Sequence, residues 1–61
     1  MIIRLDISTD DKIQWINTNH VTEVSIDHKN VVKMITVTGT IHWLTLAEAQ
    51  PLLTWLEKVS D

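Results

Sequence analysis

Three histidines are the side chains in this chain best suited to acid–base or metal chemistry: His20, His28 and His42. Zinc sites are built from Cys and His at short, regular spacings. These histidines are separated by 8 and 14 positions, and the chain has no Cys. The spacing therefore predicts no metal site and no cofactor. We expect the histidines to be solvated or to lie in an interface.

Other reactive side chains lack the neighbours that catalysis needs. Asp10 and Asp11 are adjacent, but a calcium loop needs several further oxygen ligands at fixed spacing. No Ser lies in a Gly-x-Ser-x-Gly elbow. Gly39 is the only glycine, so a glycine-rich phosphate loop is excluded. The sequence predicts a protein that is not an enzyme.

Three tryptophans raise the question of nucleic-acid binding, because indoles stack on bases: Trp15, Trp43 and Trp55. That mechanism also needs a basic groove. The chain has only five Lys and Arg against eight Asp and Glu, for a net charge of −3. All three tryptophans are predicted on core-facing sides. Nucleic acid is therefore an unlikely partner, and a small SH3-like or Sm-like nucleic-acid-binding domain is the alternative function.

Alternating apolar residues predict short strands over about 2–7, 12–16, 21–27, 31–38 and 40–44. Ile3, Leu5 and Ile7 form the core side of the first strand, and Ile13 and Trp15 that of the second. The predicted fold is α+β, a five-stranded antiparallel meander forming a small barrel-like sheet with one C-terminal helix packed on it. We expect a single domain over 1–61.

The loop between the third and fourth strands determines which side chains face the core. A two-residue loop at 28–29 places charged and polar residues beside Met34. A three-residue loop at 28–30 instead pairs Val24 with Met34, and Asn30 is suited to the left-handed conformation that this loop needs. The chemistry of the pairs favours the three-residue loop.

A turn at Thr38-Gly39 is predicted to join the last two strands, with Gly39 supplying a positive φ. Pairing Val37 with Thr40 then sets Trp43 opposite Met34, in the core, and His42 opposite Ile35, on the other face. That second face is semi-apolar, and its residues are predicted to bind a partner: Val21, Ile35, Val37, His42 and Leu44.

The C-terminal helix is predicted over about 46–59. Thr45 and Glu48 have capping-box spacing, in which Thr45 accepts from the Glu48 amide and the Glu48 carboxylate reaches back. Pro51 lies inside this span. It either bends the helix or separates a short turn from a main helix over 51–59.

The semi-apolar face predicts a protein-interaction or regulatory module that binds another protein. A domain of 61 residues without Cys is expected to be marginal alone, so a homo-oligomer is expected. Protonating His42 is expected to weaken the contact as the pH falls toward about 5. No stretch approaches the roughly 20 apolar residues of a membrane helix, and the first residues do not read as a signal peptide. We expect a cytoplasmic protein that does not bind membranes.

Three segments carry a family resemblance: 15–17 (Trp-Ile-Asn), 21–24 (Val-Thr-Glu-Val) and 35–39 (Ile-Thr-Val-Thr-Gly). With the C-terminal helix, they resemble the small bacterial FlbD/SwrD-like proteins, which are associated with flagella and motility. The chain differs from that family at Asp10-Asp11, where the family has Asn-Gly. The resemblance implies the same sheet-and-helix fold and a regulatory, non-enzymatic role.

Overall fold

The computed structural model describes residues 1–60. It has five antiparallel strands and one C-terminal helix, which confirms the α+β class. The strands are β1 (Ile2–Ile7), β2 (Lys12–Asn17), β3 (Val21–Ile26), β4 (Val31–Thr36) and β5 (Ile41–Thr45), and the helix α1 is Gln50–Val59. The predicted domain extends to Asp61, which lies outside the described residues.

The strands form two sheets, so the prediction of one barrel-like sheet is wrong. β1 pairs with β2, and β3, β4 and β5 form a second sheet in that order. A 3₁₀ turn at Thr18–His20 separates the sheets, and the Asn17 side chain caps it by accepting from the Asn19 N–H at 3.0 Å. This polar turn ends the first hairpin before a ladder between β2 and β3 can form.

The β3–β4 hairpin has the predicted three-residue loop. Val24 pairs with Met34, and Asn30 adopts the left-handed conformation at φ 63°. The carboxylate of Asp27 fixes the loop by accepting from the backbone N–H groups of Lys29 and Val31, at 2.8 and 2.9 Å. Aspartate at the start of a turn commonly satisfies loop donors in this way.

The β4–β5 loop is one residue longer than predicted, which reverses the two faces of β5. The Thr36 N–H donates to the Thr40 carbonyl at 3.0 Å, which encloses three residues, and Gly39 takes the positive φ of 86°. Met34 therefore pairs with His42 and not with Trp43. A one-residue shift moves every side chain of a strand to the opposite face.

One core lies between the two sheets and the helix. The prediction that Ile13 and Trp15 are core residues is wrong, because β2 buries Ile16 beside Ile3. The helix packs against β1 and contributes Leu52, with Trp55 partly buried. The other buried apolar residues are Leu5, Ile7, Val32, Met34, Leu44 and Ala49.

The α-helix begins at Gln50, later than the predicted start at 46, and Pro51 lies in its first turn, where a missing N–H costs no helical bond. The capping-box bonds are nevertheless present, and they close a separate turn before the helix. The Glu48 N–H donates to Thr45 Oγ1 at 3.2 Å, and the Thr45 N–H donates to Glu48 Oε1 at 2.9 Å. Thr45 therefore caps the turn that leads from β5 into α1.

Candidate functional site

A cleft between the two sheets is the main concave feature of the described residues. It consists of two adjoining hollows of about 360 and 420 Å³ that share His42. Volumes of this size lie at the small end of ligand-binding pockets. The first hollow lies between β2 and the β4–β5 loop, and its lining includes Gln14, Trp15, Asn17, His20 and Val37. The second lies between β5 and the β1–β2 turn, and its lining includes Ile7, Thr9, Asp10, Lys12 and Trp43.

The predicted partner-binding residues do not share one face. Leu44 is buried in the core, which corrects its predicted exposure, and Val21 packs against that core. His42 is half-buried and faces the Met34 side of the sheet. Ile35 lies on the opposite, outer face beside Ile41, and Val37 is exposed at the rim of the cleft. The longer β4–β5 loop separates the predicted set in this way.

Two tryptophans that were predicted in the core are instead on the surface. Trp15 is 65% exposed and Trp43 is 62% exposed. Each lies directly opposite a cation on the neighbouring strand. The Arg4 guanidinium lies 6.0 Å from the ring centre of Trp15, and the Lys33 ammonium lies 5.8 Å from that of Trp43. Each sheet therefore presents an exposed indole that lies beside a cation.

Further exposed apolar residues surround each tryptophan. Ile2 and Ile13 share the outer face of the first sheet with Trp15, and Ile41 shares that of the second with Trp43. Trp43 and Leu44 are adjacent in the sequence, so their side chains point to opposite faces of β5, but both are apolar. Hydrophobicity alone could not identify which of them faces water.

The buried carboxylate of Glu48 joins the distant ends of the chain. Its Oε2 accepts from the Thr9 N–H at 2.9 Å, the Thr9 hydroxyl at 2.8 Å and the Ser8 hydroxyl at 3.2 Å, while Oε1 accepts from Thr45. The sequence predicted the contact with Thr45 and missed the contacts with Ser8 and Thr9. The hydrogen bonds from the backbone N–H groups of Thr45 and Thr9, and then from the Thr9 hydroxyl, lower the pKa of Glu48 from 4.5 to about 2.

This pKa makes Glu48 a pH-dependent contributor to stability. Because the folded pKa lies below the unfolded value, the contribution is complete above pH 4.5 and is lost as the pH falls toward about 2. Glu48→Gln is expected to lower the free energy of unfolding at pH 7. The difference in that free energy between the variant and wild type should shrink as the pH falls from 4.5 to about 2. Urea unfolding across the window measures this. Glu57→Gln, on the exposed side of the helix, is the control, and parallel profiles for wild type and Glu48→Gln would contradict the assignment.

The described residues, 1–60, present neither a metal-ligand cluster nor a membrane-spanning helix. No group of three or more His, Asp or Glu side chains within residues 1–60 is placed to hold a metal ion. Over the same residues, no helix has the length and apolar character needed to cross a bilayer. The chain matches no family model, no curated protein and no solved structure. The resemblance to FlbD/SwrD-like proteins stays a prediction.

Proposed function

We propose that this protein is a small non-enzymatic interaction module that acts by binding another protein chain, either a second copy or a larger partner. The observation that supports this most is the exposure of Trp15 and Trp43, each beside a cation. Tryptophan and arginine are enriched among the residues that dominate binding energy at protein interfaces. A regulatory role in motility and a cytoplasmic location are further predictions.

The exposed apolar side chains are sufficient to drive association if several are buried together. Burying one large apolar side chain contributes about 1.5–3 kcal/mol, whereas association itself costs about 4–15 kcal/mol. One tryptophan alone therefore cannot hold a partner. A contact that covers Trp15 or Trp43 with neighbouring residues such as Ile13 or Ile41 can exceed the cost.

Val37→Glu is expected to abolish this association while the fold remains intact. Val37 is 60% exposed at the rim of the cleft, so a carboxylate there is solvated in the free protein and desolvated in a contact. The control is Val59→Glu, because Val59 is 59% exposed at the end of the helix and does not line the cleft.

Sedimentation velocity at about 100 µM, a concentration that detects a contact of roughly −5 kcal/mol, measures self-association, and circular dichroism checks the fold. A folded wild-type monomer at that concentration would exclude the second copy and leave a larger partner. A folded Val37→Glu variant that associates like wild type would exclude this rim as part of the contact. An unfolded variant would show that Val37 is needed for folding.

Single-stranded nucleic acid is the second candidate, because the two surface indoles each lie beside a cation. Stacking of a base on an aromatic ring contributes about 1–3 kcal/mol. The net charge of −3 opposes it, since affinity for a phosphate backbone depends on cationic groups. Titration with a fluorescent oligothymidylate at two salt concentrations separates the candidates, because salt-dependent binding that Trp15→Ala removes would favour nucleic acid over protein.

A further inference from the structure

We infer that the free edge of β5 binds an extended segment of another protein as an added strand. This inference rests on the proposed function and names the partner's chemistry and mode of binding. A strand at the edge of a sheet presents unpaired N–H and C=O groups, which peptides recognise by continuing the ladder.

Three residues of β5 have backbone groups that point away from β4. The Thr36 N–H donates to the Thr40 carbonyl, so the backbone groups of Thr40 point toward β4. Antiparallel pairs alternate between hydrogen-bonded and non-bonded residues, so His42 and Leu44 also bond to β4. The N–H and C=O groups of Ile41, Trp43 and Thr45 therefore point outward.

The outward N–H and C=O groups of Thr45 already have partners outside β4. This supports the assignment of residues 41, 43 and 45 as outward-pointing, and it shortens the free edge. The Thr45 N–H donates to Glu48 Oε1 at 2.9 Å, and the Thr45 carbonyl accepts from the Ala49 N–H at 3.0 Å. Ile41 and Trp43 have no such partner, since β5 pairs only with β4 in the described residues. The free edge is therefore two residues long and is closed at one end by Glu48.

Space for a strand exists directly beside this edge. The hollow of about 420 Å³ is lined by four consecutive residues of β5, 41–44, so it runs along the strand and does not open on one face alone. Its other side includes Ile7 and Thr9. The adjoining hollow contains Gln14, whose Oε1 is buried without a hydrogen-bond partner, and buried acceptors are seldom left unpaired.

The occupant that fits best is a short, uncharged segment of another protein with an apolar side chain at every second position. No Asp, Glu, Lys or Arg lines the hollow of about 360 Å³, and the other has one acid and one base, Asp10 and Lys12. Uncharged side chains can therefore enter the cleft, while the alternate, apolar ones lie beside Ile41 and Trp43. A second copy fits less well, because a stable dimer buries about 800 Å² per partner and a two-residue edge cannot supply that area.

Ile41→Pro tests the inference because it removes one outward N–H without removing a bond to β4. Proline is tolerated on an edge strand where its nitrogen faces away from the ladder. Ile26→Pro is the matched control: Ile26 and Ile41 are each 49% exposed, and the nitrogen of Ile26 faces the outer edge of β3 by the same alternation. Circular dichroism establishes that both variants fold.

The probe is a random library of short peptides displayed on phage and selected on the wild-type protein. Recovered peptides are expected to be uncharged with alternating apolar residues. Ile41→Pro should weaken their binding by about 2- to 12-fold, the value of one hydrogen bond, while Ile26→Pro binds like wild type. On the wild-type protein, bound peptide should slow hydrogen exchange at the Ile41 and Trp43 amides, which requires no variant to fold.

The outcomes separate this inference from the function on which it rests. Equal binding to Ile41→Pro, or unchanged exchange at both amides, would overturn strand addition. If Trp43→Ala then removed peptide binding, the interaction module would stand and only its mode would be wrong. A library that yielded no binder would overturn strand addition, and if the protein also stayed monomeric, the interaction module would be left with a folded larger partner. Self-association that Ile41→Pro weakens would show that a second copy is the occupant, which would overturn the assignment to another protein.

Discussion

Met34→Ala is expected to unfold a large share of the protein at room temperature. Met34 is fully buried in the middle of the central strand β4, where it pairs with Val24 on one side and His42 on the other. Truncating a buried Met to Ala costs about 2–5 kcal/mol through lost burial and the remaining cavity. A chain of this length has a total stability of about 3–9 kcal/mol, so the loss approaches the whole.

Urea unfolding followed by circular dichroism measures this loss, and Lys33→Ala is its control. Lys33 is the neighbouring residue on the outer face of the sheet. Its ammonium lies 5.8 Å from the ring centre of Trp43, which is opposite it on β5. We expect Lys33→Ala to cost about 0.5 kcal/mol. A larger cost for Lys33→Ala than for Met34→Ala would mean that β4 has its faces reversed.

Leu44→Asp is expected to prevent folding, whereas Trp43→Asp should leave the fold intact. Leu44 is 3% exposed and pairs with Val32 in the core, so a carboxylate there would be buried without a partner. Removing a charge from water without compensation costs several kcal/mol. The side chain of Trp43 points to the opposite face and is mostly in water, so a charge there stays hydrated.

These two adjacent substitutions test the register of β5 because they differ by one position. Circular dichroism and proton NMR dispersion show whether each variant folds. A folded Leu44→Asp together with an unfolded Trp43→Asp would restore the register with a two-residue loop at Thr38-Gly39. It would also remove the basis for a free edge at Ile41 and Trp43.

The first hairpin loop of the larger sheet could be predicted from sequence, and the second could not. At 28–30 the two possible registers differ in chemistry, because only one of them pairs apolar residues with apolar residues. In β5 both registers place apolar residues in the core. Ile41 and Trp43 are as apolar as Leu44, and a histidine such as His42 occurs both in cores and on surfaces. The length of the loop around Gly39 determined the register, and one glycine is compatible with a loop of either length.

The predicted partner-binding set depended on that register, so its two β5 residues, His42 and Leu44, were misplaced. The sequence indicated an apolar surface with a partner, but it assigned Leu44 to that surface and Trp43 to the core. The cleft could not be predicted at all, because it requires two separate sheets. Glu48 shows the same limit, since its local bond to Thr45 follows a spacing rule and its bonds to Ser8 and Thr9 span 39 or 40 positions.

The placement of the tryptophans has a practical consequence for spectroscopy. Two of the three indoles, Trp15 and Trp43, are already mostly in water when the chain is folded, and only Trp55 is partly buried against the core. Intrinsic fluorescence should therefore change little on unfolding, and a melt followed by emission would have a small signal amplitude. The same two indoles make emission a sensitive reporter of anything that covers the surface of either sheet.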